Sequence, residues 1–570
     1  MDKKAVVCRF EGKAYTFESG TTYDRIVKSI APSEADRILL VSASGRLREL
    51  HKHCRTDCTI VPVCRDSSIG FDTYRRSANF LFLKALYDVS GKDMSMKAIL
   101  EFNIGNGLYY EVPNAPKEKN GNLKGINADN QAVGRGFIEK IKARMLELRD
   151  RNLPIHKQAV STHRAIEYFK SMEMQDKVEL FRFRRSSNMN IYSLEDYSDY
   201  FYGYMVLSTG YIRDFDLIGY GRGLILVLPP KDDPYVMKEF KPSPKLFETQ
   251  KKSEHRGIRL GVNSVGQLND CVCRQGMNHQ ILMDESYQEG TISDIAGEII
   301  RRKNVKLVLI AGPSSSGKTT FSRRLSIQLA SRGFKPHPLS LDNYYRNRSE
   351  CPRDKDGNYD FECLEALDLE LLERDLTDMI AGKEVQIPSF SFIKGQREYH
   401  GNTIQLKDGD ILIMEGIHGL NERISSFLPP ECKYRIYISA LTQLNLDDHN
   451  PISTTDGRLI RRIVRDYRTR GTSAEETIRM WPSVKRGEHN YIFPFQENAD
   501  IIFNSALNYE LSVLKTYAEP LLFQIDEEKP EYQEAKRLLK FLSYFLAVPS
   551  DLVPGNSILR EFIGGSVFSV

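Results

Sequence analysis

The run Lys306-Leu307-Val308-Leu309-Ile310-Ala311 leads without a break into Gly312-Pro313-Ser314-Ser315-Ser316-Gly317-Lys318-Thr319. A run this apolar, with no polar alternation, suits a strand buried on both faces of a parallel sheet. Residues 322–330 then keep helical spacing and stop before Gly333, which suits the left-handed position past a helix end. Strand, glycine-rich loop and helix in this order leave the chain little choice. The loop must curl so that backbone N–H groups and the positive helix end converge on one point, and side chains at the glycines would block it. The Gly-x4-Gly-Lys-Thr pattern predicts a phosphate cradle built from Gly312, Pro313, Ser314, Ser315, Ser316, Gly317, Lys318, Thr319 and Thr320. Lys318 is expected to reach the β- and γ-phosphates, and the Thr319 hydroxyl to ligate magnesium.

Four more apolar runs read as buried strands, at 337–341, 411–414, 434–438 and 500–503. In a parallel sheet the strand C-termini face the ligand. Asp342 follows the first of these runs and is expected beside the phosphates. Glu415 follows the second and can hold magnesium, directly or through water. Arg458, Arg462 and Arg465 recur at i, i+4 and i+7 and share a helical face, with Arg461 flanking it. Guanidinium groups suit phosphate oxygens, so this face is expected to act as a cationic lid.

Further short elements occur with this framework: Ser340-Leu341-Asp342-Asn343-Tyr344-Tyr345, Tyr359-Asp360-Phe361, Val385-Gln386-Ile387-Pro388-Ser389-Phe390-Ser391-Phe392, Met414-Glu415-Gly416-Ile417, and Asp456 to Asp466 followed by Arg470-Gly471. With them, residues 305–520 resemble the uridine kinase and phosphoribulokinase branch of the phosphate-loop kinases. The resemblance implies ATP-dependent phosphorylation of a primary hydroxyl, with Asp342 as base and Lys318 and Arg465 as catalytic cations. It also implies Asp360 and Arg462 on a sugar, and Tyr345, Phe390 and Phe392 around a nucleoside. Three base-reading positions depart from the pyrimidine kinases: Gly395 stands for a His, Thr472 for an Arg and Met480 for a Gln. Losing such donors removes base selectivity without touching transfer.

The N-terminal half carries diffuser signals. Residues 1–62 offer a hairpin at 5–10 and 13–17, a helix at 21–30, and strands at 37–42 and 59–63. This order resembles the β-grasp TGS domain of threonyl-tRNA synthetases. Residues 63–235 include a helix at 74–86 and a later aromatic stretch, Asp199 to Met205, and resemble the editing domain of threonyl- and alanyl-tRNA synthetases. Arg76, Phe80, Phe201 and Met205 fall where that family has metal-binding or catalytic groups. None is a conventional zinc ligand, so the scaffold is expected without its chemistry. Residues 236–300 are expected as a connector with loops at Pro242-Ser243-Pro244 and 250–256 and helical patterning after Ile292. Residues 301–525 form the kinase domain, and 526–570 a helical extension with an amphipathic helix at 531–546.

The expected fold class is therefore multidomain α/β and α+β, with a C-terminal phosphate-loop kinase built on a parallel sheet. The expected cofactors are ATP and Mg2+. The expected partner is a small nucleoside or polyol, with RNA contact through the N-terminal half, and a homo-oligomer as the assembly. The alternative is a nucleotide-gated RNA- or ribosome-binding regulator; Asp342 discriminates, since a switch needs no base beside an acceptor hydroxyl. Nine cysteines argue for reduced thiols and a cytoplasmic location, and a net charge of +4 over 570 residues is too dilute to imply nucleic-acid binding by itself, while leaving room for a local basic face. No stretch reaches the ~18 apolar residues of a membrane span. His51, His53, Cys54, Cys58 and Cys64 match no Cys-x2-Cys knuckle and are expected to bind no metal.

Overall fold

The computed structural model describes residues 5–118, 132–353, 357, 359–391, 394–442 and 444–569. The chain divides into two compact units. The first comprises 1–244 with 264–267 and 444–451, and the second 245–263, 268–443 and 452–570.

The first unit opens with a five-stranded sheet in the order Lys13–Glu18, Ala5–Phe10, Cys58–Val63, Leu40–Ala43, Arg46–Glu49. Its helix Tyr23–Ile30 buries Tyr23, Ile26, Val27 and Ile30, the face set by their spacing. The strand expected at 37–42 starts later. Ala35–Arg37 is a 3-10 turn, because the Arg37 N–H closes on the Glu34 carbonyl and is lost to the ladder. Leu40–Ala43 and Arg46–Glu49 are joined at Ser44 and Gly45, both with positive φ. Beyond the sheet, helix Ser68–Val89 is capped by the Ser67 hydroxyl, which accepts the Gly70 N–H. The same unit holds a four-stranded and a three-stranded sheet, both antiparallel, together with residues 444–451.

The second unit is built on five strands: β1 (Leu307–Ala311), β2 (Lys335–Ser340), β3 (Asp410–Glu415), β4 (Lys433–Ser439) and β5 (Ile501–Asn504). All pair in parallel, in the order β2-β3-β1-β4-β5. β1 is fully buried at the centre, as its unbroken apolar run requires. The helices that matter to the site are α1 (Met277–Arg301), α2 (Lys318–Ala330), α3 (Thr454–Arg470) and α4 (Ala474–Tyr491). An antiparallel hairpin, Val385–Ser391 with Gln396–Ile404, stands apart from the main sheet.

The connector expected at 236–300 is largely helical. Pro244 begins the helix Pro244–Leu260, where its missing N–H costs nothing. The charged stretch 250–256 belongs to that helix rather than to a loop. Gln250, Ser253 and Arg256 are buried, and the Arg256 guanidinium lies 4.6 Å from the centre of the Tyr287 ring on α1. The amphipathic helix of the tail is Tyr532–Leu542, buried at Ala535, Leu538, Phe541 and Leu542. Among the described residues, no helix is long and apolar enough to cross a membrane.

Candidate active site

The loop between β1 and α2 approaches β4 so closely that a Cβ on Gly312 would lie 2.0 Å from the Ile438 carbonyl oxygen. Gly317 sits at φ +85 and Ser315 at φ 60, which turn the chain into the helix start. Lys318 Nζ donates to the carbonyls of Gly312 at 3.0 Å and Pro313 at 3.2 Å, folding back along its own loop. From α3, Arg458 donates to Ser314 O at 3.1 Å, Arg461 to Ser315 O at 3.3 Å, and Arg462 to Ser314 Oγ at 3.0 Å. Glu488 on α4 accepts the Ser314 N–H at 3.1 Å.

These contacts change the reading of the arginine face. Arg458 and Arg461 are 3% and 0% exposed. Each is paired with a buried carboxylate, Arg458 Nη2 with Glu488 at 2.8 Å and Arg461 Nε with Glu510 at 3.1 Å. They bond to the loop's carbonyls from carboxylate-paired, buried positions rather than standing free as the expected cationic lid. Arg465 pairs with Asp466 at 2.8 Å and also acts on Asp342.

Asp342 lies two residues past the end of β2, in the 3-10 turn Leu341–Tyr344, its N–H bonded to Ser340 Oγ at 3.3 Å. Glu415 ends β3, in register with Ser340, and accepts the Thr319 hydroxyl at 3.4 Å. Burial pushes Asp342 above the usual carboxylate range, against the pull of Lys318, Arg470 and Arg465. Burial and then the Asp342 charge push Glu415 up to about 7. Burial, opposed chiefly by Arg462, also carries Glu362 up to about 7. Glu362 was not singled out from the sequence, where its only signal is a carboxylate two residues past Asp360. The donor set fits a magnesium nucleotide. Thr319, Asp342 and Glu415 offer hard oxygen ligands. The buried Ser315 and Ser316 hydroxyls have no hydrogen-bond partner among the described residues.

On the other side, the Tyr345 ring packs 5.6 Å from that of Phe390, and its hydroxyl donates to the Phe361 carbonyl at 3.1 Å. Asp360 accepts the Tyr491 hydroxyl at 3.4 Å and the Glu362 N–H at 3.2 Å. Phe392 lies outside the described residues. Gly395 has φ +67, and a Cβ there would come 2.9 Å from Arg348 Nε, so both backbone and space disfavour a side chain. Met480 is 42% exposed.

The tail reaches the same loop, which no periodicity announced. Glu561 accepts the Thr320 N–H at 3.2 Å and the Thr320 hydroxyl at 2.8 Å. Ile558 packs on Gly317, where a Cβ would lie 2.4 Å from its Cγ2. Arg468 holds the tail through the carbonyls of Glu561 at 2.8 Å and Phe562 at 3.1 Å.

In the first unit, the four positions expected to have lost editing chemistry are packed into structure. Arg76 donates to the Tyr204 carbonyl at 2.7 Å. Phe80 meets Phe201 edge-on at 5.2 Å, and the Met205 sulfur accepts Ser77 Oγ at 3.7 Å.

A parallel sheet whose central strand feeds a Gly-x4-Gly-Lys-Thr loop, flanked by two strand-end carboxylates, defines a nucleotide-binding unit of the phosphate-loop kinase type. Residues 307–512 match the Phosphoribulokinase / Uridine kinase family, and the chain belongs to that family. The uridine kinases of Staphylococcus aureus strains JH9 and Newman are each 31% identical over 203 residues, covering 35% of this chain and 87% of the relative. Among solved structures, one named as a possible uridine kinase from Bacillus stearothermophilus is 19% identical, covers 37% of this chain and 97% of its own, and gives a TM-score of 0.26.

Proposed function

We propose that the second unit is an ATP- and magnesium-dependent kinase for the primary hydroxyl of a nucleoside or a related small polyol. The observation that carries this reading is the pair of acids at the ends of neighbouring strands, Asp342 past β2 and Glu415 on β3, with the Thr319 hydroxyl of the loop 3.4 Å from Glu415. Phosphoryl transfer asks chiefly for positioning and charge neutralisation. Asp342 takes the acceptor's hydroxyl proton. Lys318 and Arg465 offset the charge that develops on the transferred group. Thr319 and Glu415 would hold Mg2+, which when bound supplies neutralising charge at the phosphate oxygens. Asp360 and Arg462 offer an acceptor and donors to sugar or polyol hydroxyls, while Phe390 presents a flat apolar wall.

On this reading residues 1–62 are a TGS-like module and 63–235 an editing-like scaffold without editing chemistry. The sheet order of the first and the packed state of Arg76, Phe80, Phe201 and Met205 in the second support it.

The test is a panel of nucleosides, ribose derivatives and other polyols with ATP and Mg2+, read as ADP release together with phosphorylated product. Asp360→Ala is expected to damage every accepted substrate similarly. Phe390→Ala should hurt base-bearing substrates most, since stacking on any base is worth about 1–3 kcal/mol. ADP release without any phosphorylated acceptor would replace the kinase with a nucleotide-driven switch. A preference for uridine and cytidine of about 10³ or more over purine nucleosides would overturn the weak base selectivity but not the transfer.

A further inference from the structure

Three thiols from two separate stretches of the first unit meet inside its β-grasp-like sheet. Cys8 lies in the strand Ala5–Phe10, and Cys58 is its register partner on the neighbouring parallel strand. Cys54 sits in the preceding loop, pinned by its own N–H to the Thr21 carbonyl at 2.8 Å and by the Gly20 N–H to its carbonyl at 2.7 Å. The sulfurs stand 3.8 Å apart for Cys8 and Cys54, 3.9 Å for Cys8 and Cys58, and 3.7 Å for Cys54 and Cys58. All three side chains are buried, and the Tyr23 hydroxyl meets both Cys54 and Cys58.

We propose that Cys8, Cys54 and Cys58 form a thiolate site for a soft d10 cation, Zn2+ or Cu+. Sulfurs at about 2.3 Å around a tetrahedral Zn2+ stand about 3.8 Å from one another, so these three need no movement to share an ion. Packing alone asks for contact between neighbours, not for three near-equal separations around one point. Thiolates are also the ligands that select these cations.

Without a cation Cys8 and Cys58 resist ionisation, so binding must displace their protons. Burial, and then the neighbouring sulfurs, push the Cys8 thiol far up; burial and then Cys54 push Cys58 up to about 11. Three thiolates at this spacing are stable only around a positive centre. On binding, each S–H bond breaks, a sulfur–metal bond forms, and the protons leave to solvent with no change of oxidation state. A fourth donor, for which the neighbouring Tyr23 hydroxyl is the candidate, would complete a four-coordinate Zn2+, whereas the three sulfurs alone suit trigonal Cu+.

Sequence spacing pointed away from this site for a physical reason. The dense cluster at 51–64 does not act as a unit: His53 Nδ1 is engaged with the Gly20 carbonyl at 2.7 Å. The third sulfur comes instead from Cys8, which only strand pairing brings near.

The experiment uses the full chain, purified anaerobically with a phosphine reductant. It is titrated with Zn2+ and, separately, with Cu+ against chromophoric chelators, and with Co2+ as a spectroscopic probe. About one equivalent should bind per chain with proton release, and Co2+ should give a sulfur-to-metal charge-transfer band. Cys8→Ser, Cys54→Ser and Cys58→Ser should each weaken binding about 100-fold or more, and Cys271→Ser should not. Since a core substitution can unfold the sheet, the Co2+ spectrum of the unmodified chain decides independently. Zn2+ binding weakened by Tyr23→Phe supports the four-coordinate form, and Cu+ binding indifferent to it supports the trigonal form. A chain with no thiolate–cobalt band that takes up neither Zn2+ nor Cu+ overturns the proposal. So does metal retained by all three serine variants while they stay folded.

Discussion

Lys318 already leans on the carbonyls of its own loop, so its charge is positioned before any nucleotide arrives. Lys318→Ala should therefore cost about 100-fold or more in kcat, through lost stabilisation of the transferring group; turnover like that of the unmodified chain would remove the loop mechanism. Asp342→Asn keeps the shape and removes the base. Calorimetry should show ATP still bound, while product formation collapses. Glu415 makes a pH prediction. Its carboxyl, ordinarily near 4.5, lies near 7 in the folded chain, chiefly through burial. Below that value it holds a proton that Mg2+ must displace, so apparent Mg2+ affinity should rise up to about tenfold per pH unit and flatten above pH 7. The stability sign is opposite to that of a salt-bridged acid. The folded chain binds the proton more tightly than the unfolded one, so ligand-free stability falls as pH rises from about 4.5 through 7. Glu415→Gln should consequently raise the melting temperature at pH 8 by a few degrees, change it little at pH 4, and weaken the pH dependence of Mg2+ binding to what Asp342 alone contributes.

At the scale of elements, the centre of the parallel sheet was legible because β1 and β3 are buried apolar runs that end at a glycine and an acid, Gly312 and Glu415. α3 was legible only in part. The i, i+4, i+7 spacing tells which arginines share a face but not what lies opposite. Glu488 and Glu510, which convert Arg458 and Arg461 into braces, are 30 and 49 residues further on. Arg458→Ala should accordingly act as a stability mutation. It strands the Glu488 charge in the interior at about 3–5 kcal/mol, visible as a lower melting temperature. The tail was illegible for the same reason: nothing local to Glu561 announces Thr320. Its carboxylate occupies an N–H at the start of α2, where phosphate oxygens would otherwise be drawn. Glu561→Ala should tighten ATP binding by about 3–10-fold in calorimetry or KM, with kcat nearly unchanged. Weaker ATP binding in that variant would mean that the tail supports the cradle rather than competing for it.

For the whole molecule, the least legible feature is the ownership of residues 444–451. They lie in sequence between β4 and α3, yet count with the first unit. No hydrophobic run or turn signal marks the transfer, because polar groups effect it. Lys177 is buried and reaches Asp447 at 2.9 Å and Asp199 at 3.2 Å. His449 Nδ1 meets Asp199 at 2.6 Å, Asn79 donates to the His449 carbonyl at 3.0 Å, and Asn450 donates to the Tyr200 carbonyl at 3.0 Å. Burial works against the Lys177 charge, but Asp199, Asp447 and Asp176 outweigh it and hold the ammonium above its ordinary range. Such a cluster is stable complete and costly when broken. Lys177→Met keeps most of the volume and removes the one lysine between two buried carboxylates. The full-length variant should lose about 3–5 kcal/mol in the transition of the first unit. Limited proteolysis should cut within 444–451 faster than elsewhere, since local opening there no longer breaks a paired charge. Unchanged cleavage in a variant with a lowered melting temperature would show that the backbone contacts, not the lysine, retain the segment. Unchanged values of both would show that the buried carboxylates are held protonated and need no cation.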